Sequence, residues 1–152
     1  MGKTKEGNRC KLMSCKWSPM CHHHRDTFID DSDLPNAGKG VFAKRDIKKD
    51  TKIADYTVGT QKLTHNQLNQ KYPGNTLATH AWTKSQNVIY DAKHTNSVSG
   101  GFNTCRTAQQ RQKVCKNKAR ITGSGSIKAT QNIRANEEVF VTGYGSNYWR
   151  GR

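Results

Sequence analysis

No run of about 18 apolar residues, the length a membrane-spanning helix needs, occurs anywhere in the chain. The N-terminal M-G-K-T-K-E-G-N has no apolar block either. The first absence excludes a spanning helix and the second a secretory signal, so an intracellular protein, the nucleus included, is expected. Apolar residues are scarce throughout: hydrophobic types make up 32% and mean hydropathy is -0.95. The core must be small and the loops generous. Acid is scarcer still, 11 Asp and Glu against 26 Lys and Arg, leaving a net charge of +15. Such a field reaches about 8 Å at physiological salt and attracts polyanions. A nucleic-acid or chromatin role and plain solubility both fit this charge. The five cysteines (Cys10, Cys15, Cys21, Cys105 and Cys115) include no C-x2-C pair. Their odd number and uneven spacing fit reduced thiols or a metal site better than a disulfide framework. No internal repeat is evident.

What is present fits one domain with a short appended arm, since 152 residues fill a single core. Residues 1–27 read as a basic arm without hydrophobic periodicity. Its Cys10, Cys15, Cys21 and His22 to His24 offer enough sulfur and imidazole for a tetrahedral zinc site. The spacing is irregular, so incidental thiols on a disordered tail are preferred and no metal ligand is assigned. Residues 28–152 read as the folded domain. D-D-S-D-L-P-N (30–36) is turn chemistry, and V-F-A (41–43) opens a series of short, often alternating segments: K-I-A-D-Y-T-V (52–58), N-V-I-Y-D-A (87–92), S-I-K-A-T (126–130) and E-V-F-V-T (138–142). The first of these puts Ile53, Asp55 and Thr57 on one side and Ala54, Tyr56 and Val58 on the other. T-H-N-Q (64–67) has capping-box spacing, Leu68 and Tyr72 follow at i and i+4, and Pro73-Gly74 ends the helix. One short helix among short strands predicts a mostly β, α+β domain. Residues 106–120 carry six basic side chains and no acid, as a phosphate-tracking segment or a solvated insertion loop would. Asp26, Asp30, Asp31 and Asp33 cluster just before a G-K-G and could draw in a basic peptide.

Four separated pieces carry the functional signal: G-K-G-V-F-A at 38–43 with R-D-I after it, I-Y-D-A at 89–92, G-G-F-N-T-C at 100–105, and N-E-E-V-F-V-T-G-Y-G-S-N-Y-W at 136–149. In this order they resemble the SET-domain family of protein lysine methyltransferases, with its G-x-G start, I-D-A strand, asparagine-histidine motif and closing G-E-E-L-x-x-x-Y-G. The resemblance spans about Leu34 to Trp149 and is closest to the small SET proteins of viruses and protists. The run from Ala92 to Asn103 matches the family's spacing to its motif asparagine. Five residues depart: Thr104-Cys105 stand for His-Ser, Asp50 for the glycine of the first G-E pair, Asn136 for the glycine before E-E, and Gly143 is an extra residue before Tyr144.

The resemblance implies short strands in small sheets, one or two short helices, and a knot-like C-terminal segment. It implies a monomeric enzyme moving a methyl group from S-adenosylmethionine to a protein lysine, on a histone, a nucleosome or another protein. Tyr144 would be catalytic, against the alternative of an ordinary core tyrosine. Gly38, Lys39, Gly40, Asn103 and Thr104 would bind the donor, with Trp149, alongside Tyr148, covering its adenine or the channel mouth. Tyr56, Tyr90 and Phe102 would line the lysine channel, unless the aromatics on strands are simply packing. G-K-G alone reads as a tight turn; together with the other pieces it reads as bare backbone approached by a ligand. Some relatives build a channel wall from a cysteine-rich zinc segment after Y-G, and residues 147–152 contain no cysteine. The rival expectation is a SET-derived module without turnover that binds chromatin or nucleic acid through its basic surface.

Overall fold

The computed structural model describes residues 25–73, 80–93, 95, 97–105 and 115–144. The arm cysteines and His22 to His24, together with Tyr148, Trp149 and the rest of the C-terminal segment, lie outside that set. β1 (Thr27–Asp31) and β2 (Lys39–Ala43) form an antiparallel hairpin in register from Thr27 opposite Ala43 to Asp31 opposite Lys39. β3 (Lys52–Asp55) leads to β4 (Gln61–Leu63), helix α1 (His65–Lys71), and the strands β5 (Ala81–Ser85) and β6 (Val88–Asp91). A 3-10 turn at Val98–Gly101 precedes β7 (Asn117–Ile121), β8 (Ser126–Ala129) and β9 (Phe140–Thr142). The sheets are β1-β2, β4-β6-β5 and β3-β8-β7-β9, all antiparallel except the β7–β9 pair. The domain is therefore α+β and mostly β, as the short segments imply.

Local chemistry accounts for the helix. Thr64 accepts from the Gln67 amide at 3.2 Å and the Gln67 side chain accepts from the Thr64 amide at 2.9 Å, a complete capping box. β3 is shorter than its pattern suggests. A register shift between Lys52 and Ala54 breaks the alternation, and the chain then turns. Tyr56 becomes fully buried, its amide bonded to the Gly125 carbonyl, while Val58 is 48% exposed, so the two do not share a face. The 138–142 strand is split between partners. Glu138 and Val139 pair with β2, and Phe140 to Thr142 pair with β7.

The basic stretch ending at Arg120 is not all loop. Residues 117–121 form β7, in the interior of the largest sheet, with Ala119 and Ile121 in the core and Lys118 and Arg120 facing away. Its K-A-R-I alternation is only four residues long and follows directly on a run of basic and polar residues. The expectation of unpaired thiols also fails for one pair. Cys105 and Cys115 are joined in a disulfide with Cα atoms 6.1 Å apart. Asn103 and Asn117 both pair with Phe140, which brings the two cysteines together. The Asn117 amide completes the contact, donating to the Cys105 carbonyl and accepting from its N–H.

A repeat invisible in the letters appears in the geometry. Residues 42–51 and 128–137 are related by an approximate twofold about Ile47 and Ile133, whose amides and carbonyls exchange two 2.8 Å bonds. Asp46 Oδ1 accepts from the Ala135 amide, and Asn132 Oδ1 accepts from the Lys49 amide. Asp50 and Asn136 occupy equivalent turn positions at φ 70° and 67°. The two halves agree in conformation and hydrogen bonding while sharing few identities.

Candidate active site

Three of the four motif segments converge through hydrogen bonds. Asn103 Nδ2 donates to the Lys39 carbonyl at 3.0 Å and to Glu138 Oε1 at 3.1 Å, so the G-K-G strand, the asparagine loop and the E-E segment meet at one amide. The Asn103 carbonyl accepts from the Val141 amide, laying the loop parallel to β9. Glu138, 5% exposed, also accepts from the Ser32 hydroxyl at 2.8 Å and the Asp33 amide at 2.7 Å. This carboxylate ties the loop after β1 to the strand before β9. Sequence reading gave Glu138 no role, although the repeated acid of N-E-E was the available signal.

Each glycine of G-K-G has a distinct structural reason. Gly38 has φ +71° and open space where a side chain would project, and its carbonyl closes the hairpin by accepting from the Ser32 amide. A Cβ on Gly40 would fall inside the Glu138 carboxylate. Lys39 is largely exposed and bonds Asp31 at 2.6 Å, a contact that raises its pKa. Thr104 is half-buried and its side chain forms no hydrogen bond within the described residues.

Tyr144 is buried, and its hydroxyl donates to the Phe102 carbonyl at 3.2 Å, one residue from Asn103. Gly143, the extra residue before it, has φ +100° and lies so close to β7 that a Cβ would come within 2.8 Å of the Ile121 carbonyl. The Tyr144 ring stands edge-on to Tyr56 at 6.0 Å between centroids. Tyr56 is 5.9 Å from Trp82, which stacks on Tyr90 at a further 5.9 Å. The expected channel residues Tyr56 and Tyr90 thus belong to a file of four aromatics running from buried Tyr144 to half-buried Tyr90. Trp82, in its middle, was not anticipated because A-W-T-K-S shows no strand alternation. The Tyr56 hydroxyl donates to the His80 carbonyl. Phe102 is buried and contributes its carbonyl to Tyr144.

I-Y-D-A does something the motif did not reveal. Asp91 is fully buried and receives the Tyr72 hydroxyl at 2.6 Å, Lys71 Nζ at 2.7 Å and the Lys93 amide at 3.0 Å. Burial alone would raise its carboxyl, but these bonds outweigh it and the pKa is lowered. The Tyr72 phenol is raised by burial and by its bond to Asp91. Among the described residues no cluster of His, Cys, Asp or Glu could hold a metal ion.

Comparison with known proteins bears on the family and the fold. The family described as SET domain matches residues 38–144. A solved structure from Plasmodium falciparum, described as a candidate histone methyltransferase, is similar with a TM-score of 0.53. The two chains are 17% identical, and the match covers 83% of this chain and 98% of that one. At that identity the likeness is one of fold. None of the curated proteins matches.

Proposed function

The chain belongs to the SET-domain family, and from that membership we propose that it is an S-adenosylmethionine-dependent protein lysine methyltransferase. The observation that carries the reading is the path of hydrogen bonds from Lys39 through Asn103 to Glu138, with Tyr144 bonded to the residue preceding Asn103. It brings the proposed donor loop and the C-terminal phenol to one place.

The residues present suit the polar end of such a donor. Asn103 spends both amide hydrogens on the protein and keeps its Oδ1 as an acceptor, beside the half-buried hydroxyl of Thr104 and the G-K-G backbone. When bound, S-adenosylmethionine supplies a methyl group activated on a sulfonium. The chain's own task is then positional, since in-line displacement depends on holding the amine at near-attack distance and angle. In this reading Tyr144 orients that amine, and its edge-on contact with Tyr56 and its bond to the Phe102 carbonyl support the role. The apolar walls of Tyr56 and Phe102, both buried, disfavour a charged ammonium and so favour the neutral, nucleophilic lysine.

The substrate follows from the charge. A +15 chain repels a free basic tail, so the proposed target is a histone held on nucleosomal DNA, or a non-histone protein, met by a monomer inside the cell, in the nucleus for a nucleosomal target. Labelled S-adenosylmethionine should be incubated with nucleosomes, free histones and lysate, and products read by mass. A gain of one or more methyl groups on lysine is expected, with nucleosomes favoured over free histones. Tyr144→Phe should lower the rate about tenfold or more, the equivalent of ~1.4 kcal/mol at the transition state. A Tyr144→Phe protein that methylates as fast as wild type removes the assigned role, and wild type inert toward every substrate, with no calorimetric heat from the donor, removes the function.

A further inference from the structure

We infer that the outer face of the β3-β8-β7-β9 sheet is a docking surface for the phosphate backbone of double-stranded DNA. The inference stands on the geometry of this face and does not depend on methyl transfer. Ladder pairing puts Lys52 opposite Lys128, and Lys128 opposite Arg120, so the three cations form one row across three strands on one face. Their neighbours Ile127, Ala129, Ala119 and Ile121 point into the core, which fixes the row as outward, and all three cations are exposed. Thr142, also exposed, is aligned with Arg120 on β9 and extends the row with a hydroxyl.

The carboxylates nearby are already engaged. Asp55 holds Lys52 at 3.0 Å and accepts from Thr57. Glu137 holds Lys118 at 2.6 Å and accepts from the Arg134 amide. Arg120 and Lys128, the centre of the row, have no ion-pair partner among the described residues. Adjacent strands are about 4.8 Å apart, so the row spans about 10 Å. A duplex presents one phosphate charge per about 1.7 Å of its axis, enough to engage every member at once.

The chemistry of the face selects among polyanions. Apart from Asp55, which lies opposite Ser126 and is bonded to Lys52, its exposed outward positions are Lys, Arg, Ser and Thr, and Val58, the exposed large hydrophobic of the described residues, lies beyond the strands in the turn after β3. An acidic protein partner would want an apolar or aromatic centre to the interface, and single-stranded nucleic acid would want aromatic stacking platforms. Neither is offered. Cations with flanking hydroxyls are what phosphate contacts use.

The test is fluorescence anisotropy of the full chain with a labelled DNA duplex over a salt series, against a matched RNA duplex and a polyglutamate competitor. Arg120→Glu with Lys128→Glu should weaken DNA binding tenfold or more and reduce the slope of log K against log salt by about 1.8, at ~0.9 per lost phosphate contact. Lys62→Glu with Lys84→Glu makes the same charge change on exposed positions of the β4-β6-β5 sheet and should leave affinity within twofold. Arg120→Gln with Lys128→Gln, the milder pair should the reversals fail to fold, should show the same slope change with a smaller loss of affinity. Equal weakening by both reversed pairs would assign binding to diffuse charge and overturn the proposal. So would failure of wild type to bind duplex DNA, tighter binding to duplex RNA, or displacement by polyglutamate at equal charge.

Discussion

Asp50 and Asn136 sit at φ 70° and 67°, in left-handed backbone where a side chain is ordinarily strained. They are also two of the positions at which the sequence departs from the SET pattern, each standing where the family has glycine. Short Asp and Asn side chains tolerate this region better than other non-glycine residues. At both positions the residue present keeps a left-handed backbone of the kind glycine adopts freely. Asn136→Gly and Asp50→Gly should leave the unfolding midpoint nearly unchanged. Asn136→Ala should lower stability by about 1 kcal/mol, ~3 °C in a domain of this size, as measured by thermal unfolding. Only the kind of residue was legible here. One-letter comparison registers Asp for Gly as a loss, because the dihedral it adopts is not written in the sequence. The same blindness hid the twofold, since Asp46 and Asn132 perform one hydrogen-bonding task with different letters.

Helix α1 shows how an element was legible while its anchor was not. T-H-N-Q specifies its start through local bonds that any chain with this spacing can make. Its end depends on Tyr72 and Lys71 reaching buried Asp91 on β6, a contact set by packing. Because the folded pKa of Asp91 is lowered, its contribution to stability is present above the unfolded value, about 3.9, and is lost as pH falls through the lower folded value. Urea midpoints measured from pH 7 down to pH 2 should fall on the acid side for wild type. Asp91→Asn should lower stability at pH 7 by about 3 kcal/mol, the cost of breaking a buried hydrogen-bonded pair, and should flatten the acid limb. Some acid dependence should persist, because Asp55 and Glu137 are likewise lowered by their bonds to Thr57 and Lys52 and to Lys118 and Arg134 against the opposing effect of burial. Strands β4 and β5 were illegible for a related reason. Three residues of β4, and a β5 with only Ala81 and Trp82 buried, are too little text to show a period, and both form because β6 lies between them.

At the scale of the whole molecule, segments distant in sequence close on one another through Glu138 and Gly40. The carboxylate fills the space a Cβ on Gly40 would occupy while receiving Ser32, Asp33 and Asn103. The motif pieces and their order were readable from the chain, but this closure was not, because no local pattern encodes which carboxylate will face which glycine. A double-mutant cycle tests it. Glu138→Ala should cost about 3 kcal/mol by stranding donors that are part-buried around it. Gly40→Ala should cost about 2 kcal/mol, since the new methyl must displace a carboxylate fixed by several bonds. Independent sites would simply add. Here the methyl introduced by Gly40→Ala enters the volume that Glu138→Ala empties, so the double variant should be more stable than the sum predicts by about 1 kcal/mol or more, as urea denaturation can resolve. Additivity within error would mean the two residues do not share the space described. Asn103 makes the cycle informative about function as well, because losing Glu138 frees one of its amide hydrogens. Heat from S-adenosylmethionine binding should fall in Glu138→Ala even at temperatures where the variant remains folded. A variant that loses stability but keeps full donor affinity would separate the closure of the fold from the site it frames.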